Sequence, residues 1–210
     1  MSKKKSLLRI PLIILSVILV LLLAVISIYY IWFKPKVEVK PIDSEITINK
    51  GDMIKKFIPN DLNFSNKKIT ATATASFSEE ELTDLSIEIF KNIDELKPYL
   101  TGSKIYLNDN SLDLYLHLKY KNIPLEAKLK FTYSVSDGNA IFHYEEGKVG
   151  FFNIPKEILF SRLTETSSVK INSENGDVIL TLDDLNVVDI TNITIEDNLL
   201  KISFEGSIKF

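Results

Sequence analysis

The sequence predicts an α+β protein, a predominantly antiparallel β body with one long and one short helix, standing after an N-terminal transmembrane helix. Three observations carry this. An uncharged apolar run ends at Phe33, and a capped amphipathic helix opens at Ser78. From Leu112 onward, apolar and polar residues alternate in runs joined by tight-turn signals. The 210 residues suffice for one anchor and one ordinary domain. The expected division is a cytoplasmic tail (1–9), an anchor (10–33), a juxtamembrane stalk (34–66) and an extracytoplasmic β-rich domain (67–210).

No charged residue stands between Arg9 and Lys34. The 22 residues from Leu12 to Phe33 extend about 33 Å as a helix, enough for a hydrocarbon core of about 30 Å. A helix satisfies every backbone polar group internally, as lipid demands. Tyr29, Tyr30 and Trp32 cluster at the far end, where amphipathic rings favour the headgroup level. A cleaved signal peptide is the alternative, but its core runs only about 7–15 residues and ends at small side chains. Here Ala24 and Ser27 are followed by Tyr29-Tyr30-Ile31-Trp32-Phe33, which favours a retained single-pass anchor. Lys3, Lys4, Lys5 and Arg9 precede the span, against Lys34, Lys36 and Lys40 after it. That bias places the N-terminus in the cytoplasm and the C-terminal domain outside the cell membrane.

Pro35, Pro41 and Pro59 point to an extended stalk, with one short strand at Ile46–Ile48. Ile69 to Phe77 alternates Ile69, Ala71, Ala73, Ala75 and Phe77 with Thr70, Thr72, Thr74 and Ser76, a strand whose small apolar face lets another element approach closely. Ser78-Glu79-Glu80-Glu81 is a capping box with acids at the positive end of the helix dipole, read as a solvated first turn. Leu82, Leu85, Ile89, Ile93 and Leu96 form an apolar stripe, and Pro98 sets the stop, so the helix is expected over 79–96.

Leu112, Leu114, Leu116, Leu118 and Tyr120 then alternate with Asp113, Tyr115, His117 and Lys119. Leu125, Ala127, Leu129, Phe131, Tyr133 and Val135 alternate with Glu126, Lys128, Lys130, Thr132 and Ser134. The short Lys121-Asn122-Ile123-Pro124 connection makes the two antiparallel neighbours. Asp137-Gly138 turns into a third strand, Ala140 to Glu146. Pro155 suits the start of a short helix carrying Ile158, Leu159 and Leu163. Strands resume at Val169–Ile171, Val178–Leu182, Ile190–Ile195 and Leu200–Phe210, with turns at Asn175-Gly176 and Asp197-Asn198.

The chemistry is sparse. With no Cys there is no disulfide, thiol nucleophile or Cys-based zinc site. The two histidines, His117 and His143, come with no nucleophile motif, zinc-protease helix or phosphate-cradling loop, and read as surface side chains. Asp183-Asp184 and Glu145-Glu146 lack calcium-loop spacing and read as solvated acids. Beyond the span, 21 basic residues stand against 28 acidic ones, which opposes nucleic-acid binding. The expectation is a protein that is not an enzyme and takes no metal or cofactor.

The order of features resembles the YpmS-like family of Gram-positive bacteria, small anchored proteins of undefined function. The anchor, the strand before Ser78-Glu79-Glu80-Glu81-Leu82, Leu112–Leu118, Ile123-Pro124-Leu125, Asp137-Gly138 and Lys148-Val149-Gly150 leading to Ile154-Pro155 carry the likeness over most of residues 1–165. Thr83 departs from the family's Asn, and Phe151-Phe152-Asn153 from a more aliphatic, Pro-rich stretch. The resemblance implies a long helix against a strongly curved antiparallel sheet, a layout similar to tubular lipid-binding domains.

Leu112, Leu114, Leu116, Leu118, Leu125, Ala127, Leu129 and Phe131 share one face, with Leu159 of the short helix above it. Covered fully, that face is an ordinary core; left partly open, it is a groove shaped for acyl chains. These nine residues are the candidate ligand-binding set. The first functional expectation is an anchored, non-catalytic domain binding a lipid or other apolar ligand. The alternative is a scaffold or interaction module for envelope proteins, and an envelope hydrolase built on the histidines stands last.

Overall fold

The computed structural model describes residues 4–46, 48–65, 67–161, 163–182 and 187–209. Helix α1 (Lys4–Ile28) continues into a π-helical turn, Tyr29–Phe33. From Pro11 to Phe33 it is long and apolar enough to cross a membrane. Every side chain from Pro11 to Ile28 is exposed, so the body does not bury this helix.

The body is α+β, and the pairings among its described strands are all antiparallel. After this apolar helix come β1 (Lys40–Pro41), α2 (Lys50–Lys55), β2 (Asp61–Ser65), β3 (Lys68–Ser78), α3 (Glu79–Lys91), β4 (Leu100–Asn108), β5 (Ser111–Tyr120) and β6 (Ile123–Ser136). There follow β7 (Asn139–Val149), β8 (Phe152–Asn153), α4 (Lys156–Phe160), β9 (Val169–Asn172), β10 (Asp177–Leu180), β11 (Val188–Glu196) and β12 (Leu199–Lys209). They form two sheets. The larger has the order β1-β4-β5-β6-β7-β10-β9, with β8 on β7, and the smaller has β11-β12-β3-β2.

Three hairpins close on two-residue turns, Lys121-Asn122, Asp137-Gly138 and Asp197-Asn198, with positive φ at both positions. That is the geometry whose twist matches paired strands. The first is tighter than the four-residue connection read from the sequence, because Ile123 and Pro124 already pair with Tyr120 and Lys119.

The region 34–66 is not an extended stalk. Lys40 pairs with Ser103, α2 follows, and Asp61–Ser65 adds an edge strand to β3. Ile46 and Ile48 belong to no strand, and Thr47 lies outside the described residues. Strand β4 is an addition to the strands expected from the sequence. Its inward positions, Ser103, Ile105 and Leu107, face Leu116, Leu114 and Leu112. A serine among them, with Tyr106 outward, blurs the alternation.

Helix α3 opens on the expected capping box: Ser78 Oγ accepts from the Glu81 N–H at 3.2 Å, and Glu81 Oε2 accepts from the Ser78 N–H at 2.9 Å. It ends at Lys91, short of Leu96, where turns take over. Its fully buried side chains are Thr83, Ser86 and Ile87, the last 0 % exposed; of the expected stripe, Leu82 and Leu85 pack half-buried on the core, whereas Ile89 is 60 % exposed. The reason lies in β4. Thr83 Oγ1 accepts from the Ile105 N–H at 3.0 Å and Glu79 Oε1 from the Leu107 N–H at 2.8 Å, while the Ser86 and Ser103 hydroxyls lie 2.9 Å apart. Side chains of α3 thereby satisfy donors on a sheet edge that would otherwise be open. Glu79 is consequently an edge cap, and Glu81 pairs with Lys56 at 2.8 Å, so these two acids are not simply solvated.

Two apolar clusters divide the inner face of the larger sheet. In the first, Ala75, Phe77, Ile190, Leu200, Ile202 and Phe204 of the smaller sheet pack on Leu107, Leu112 and Ala140. The small Ala73 and Ala75 are part of that close approach, as the Ala-rich face of β3 suggested. The second joins Leu129, Tyr144 and Phe160, with Leu114, Leu116, Phe131, Leu159 and Leu163 against them.

Candidate functional site

The register places the leucine row as expected: Leu112 opposite Phe131, Leu114 opposite Leu129, Leu116 opposite Ala127, and Leu118 opposite Leu125. Leu112 is sealed beneath the smaller sheet. Leu114, Leu116, Leu129, Phe131 and Leu159 belong to the second cluster, and Ala127 is buried beside them. Leu118 and Leu125 belong to neither cluster and are half-buried. From Leu129 to Leu125 the face runs about 13 Å along β6 at about 3.3 Å per residue, passing from closed core to open surface.

The cover over this half is thin. Strand β7 bulges opposite Lys130 and Phe131, so that Gly147 faces Leu129 and Tyr144 faces Phe131. A Cβ at Gly147 would lie 2.7 Å from Leu129 Cδ2 and would also strike the Tyr144 hydroxyl. With that room, Tyr144 donates to the Ile154 carbonyl at 2.6 Å and ties down the chain entering α4. Burial, then the Glu146 and Glu157 carboxylates, push the Tyr144 phenol above its ordinary range, which keeps it a donor. Of the short helix α4 (Lys156–Phe160), Phe160 is buried and Ile158 is exposed.

The row ends at the anchor. A recess of about 590 Å³ lies between Val25, Ile26, Tyr29 and Phe33 on one side and Ile123, Pro124 and Leu125 on the other. Tyr29 donates its hydroxyl to the Pro124 carbonyl at 3.0 Å. The Phe33 ring sits 5.2 Å from that of Phe151 and 5.9 Å from that of Phe152. Glu126 Oε2 accepts from the Lys36 and Val37 backbone N–H groups, each at 2.9 Å, so the connection out of the anchor is pinned. The sequence carried only one trace of this docking, the bulky aromatics on both sides of it. A second recess of about 680 Å³ lies beside Phe160, Leu163 and Ile171, rimmed by Glu157, Glu165 and Glu174.

The outer face of the larger sheet is polar and carries ion pairs, although Asp113 Oδ1 and His117 Nε2 are buried without a hydrogen-bond partner among the described residues. Lys128 meets Asp113 at 2.8 Å, Lys130 meets Glu145 at 2.5 Å, and Lys148 meets Glu146 at 2.5 Å. Burial lowers the Lys128 pKa, but the hydrogen bond and charge of Asp113 outweigh it and raise the pKa overall. His143 Nδ1 lies 2.7 Å from Asp177 Oδ1, and His117 Nε2 lies 3.5 Å from Glu126 Oε2. Their cross-strand partners on β6, Thr132 and Glu126, are separated by about 20 Å of strand. The histidines therefore do not converge on one reacting atom. Among the described residues no three His, Asp or Glu side chains gather as a metal site, and Asp183-Asp184 lie outside those residues. No protein-family model, no curated protein and no solved structure matches this chain.

Proposed function

We propose that the β-rich body is a non-catalytic binding module for an acyl chain or similar apolar ligand, held at the outer face of the cell membrane by the N-terminal helix. One observation carries the reading: the leucine row is continuous from the second cluster to Leu118 and Leu125, and Leu125 lines the recess against the anchor. An apolar face that leaves its core and opens beside a lipid-facing helix suits a lipid tail better than a water-soluble solute. The likeness in feature order to the YpmS-like family and to tubular lipid-binding layouts agrees with it. The basic residues before the span favour the topology with the body outside.

The test is photo-crosslinking of the full chain in a bilayer containing phospholipid with a photoreactive acyl chain. Adducts on the half-buried Leu114 or Leu116 are expected, since lipid merely surrounding the anchor has no access to these inward positions. Adducts restricted to residues 10–33 would refute ligand binding by the body.

A second reading, an interaction module for envelope proteins, is favoured by β2. This edge strand of the smaller sheet is exposed throughout, and it presents Leu62 and Phe64. Crosslinking in cells that recovers no reproducible envelope protein through β2 would remove it.

A further inference from the structure

The body does not begin where the anchor ends. Asn122, Ile123, Pro124 and Leu125, at the tip of the β5–β6 hairpin, line a recess whose other wall reaches back along the anchor to Val25. Eight residues separate Val25 from Phe33, about 12 Å of helix axis. The hairpin tip thus lies alongside the last two turns of the apolar run, level with side chains that the crossing helix would hold in lipid. The helix has little spare length with which to lift the tip clear, because Pro11–Phe33 comprises 23 residues, about 34 Å against a core of about 30 Å.

The surface at that depth is built for an interface. Tyr120, Ile123, Phe151 and Phe152 are between 49 % and 60 % exposed and stand beside Trp32, which is 54 % exposed and 6.1 Å from Phe151. Between Lys119 and Leu125 there are two lysines and no acid, and from Lys148 to Asn153 one lysine and no acid, in a body that is acidic overall. Lys121 lies over the Tyr120 ring at 5.4 Å. Aromatic rings with lysines beside them are what the headgroup layer of an anionic bilayer accepts.

From this we infer that the β5–β6 tip and the Gly150-Phe151-Phe152 turn insert into the headgroup layer and the adjoining margin of the acyl region of the bilayer that holds the anchor, so that the body is seated on the membrane at two further points. The seat rests on the anchor crossing a bilayer and is independent of any bound ligand. It orients the sheet: β6 rises from Ile123 at the membrane to Ser136, thirteen residues on, about 43 Å along the strand.

The absence of Cys makes the test direct. Full-length single-site variants Val20→Cys, Ile123→Cys, Phe152→Cys and Asp137→Cys are labelled with a small fluorophore. They are then placed in phosphatidylcholine–phosphatidylglycerol bilayers that contain lipids with a nitroxide near the headgroup end and near the methyl end of the chain, the second reaching position 20 close to the middle of the span. Labels at 20, 123 and 152 are expected to lose emission to the nitroxide, while the label at 137 keeps it. Loss at 20 with full emission at both 123 and 152 overturns the seating. Full emission at 20 overturns it as well, by removing the span on which it depends.

Discussion

Phe33 lies against the backbone of Gly150: a Cβ at that glycine would come within 2.6 Å of the ring's Cε1. Gly150 also has φ +62, a conformation that costs any L side chain about 1–2 kcal/mol. One residue therefore serves both the turn into β8 and the seat for the last ring of the anchor. Gly150→Ala is expected to cost at least the backbone term and to unseat Phe33. Trypsin cleavage after Lys36 of the full chain in detergent should speed up, Lys34 being protected by the Pro35 that follows it; an unchanged rate would show that the contact does not hold the linker.

Two isoleucines of α3 have opposite fates. Ile87 is fully buried and Ile89 stands in solvent. Ile87→Ala should destabilise the full chain by about 2–5 kcal/mol in urea unfolding. Ile89→Ala should stay within about 0.5 kcal/mol of the parent. Equal losses would mean that Ile89 packs on the core along with Leu82 and Leu85.

Thr83 Oγ1 accepts the Ile105 N–H of β4. Thr83→Val keeps the shape and removes the acceptor, at a cost of about 1–3 kcal/mol for the stranded donor. Hydrogen exchange localised to the Ile105 amide is the sensitive measure, and it should accelerate without comparable change on β6.

Burial pushes the Glu81 carboxyl up, but hydrogen bonds from Lys56 and the Ser78 backbone outweigh it and hold the group below its ordinary value of 4.5. A lowered folded-state pKa means stability present above that ordinary value and lost as pH falls through the folded one. Glu81→Gln should therefore be less stable than the parent at pH 7, and the gap should close as the medium is acidified below about 4.5. Urea midpoints of both proteins across that window give the answer, and a constant gap would assign the loss to the cap geometry instead of the charge.

Much of this architecture was legible in residue order. The two long alternating strands β5 and β6, their antiparallel pairing and the capping box at Ser78 all appear where local pattern places them. Each depends on near neighbours: one solvated and one apolar side of a strand, or a hydroxyl three residues from a glutamate. The apolar helix was equally plain, because length and the absence of charge are local properties too.

What local pattern missed depends on partners distant in the chain. Strand β4 hides because its inward Ser103 is acceptable only with Ser86 opposite, and α3 turns Thr83 toward the core only because Ile105 needs an acceptor. The supposed stalk folds because β4 and β3 offer free edges to Lys40–Pro41 and Asp61–Ser65. Residue order put eight side chains of the leucine row on one face, but how far that face is closed was settled by which layer lies over it: the smaller sheet above Leu112, the slight α4 near Leu129, and beside Leu125 the flank of the N-terminal apolar helix. Alternation specifies which side of a strand is apolar. Only packing in three dimensions specifies what, if anything, covers it.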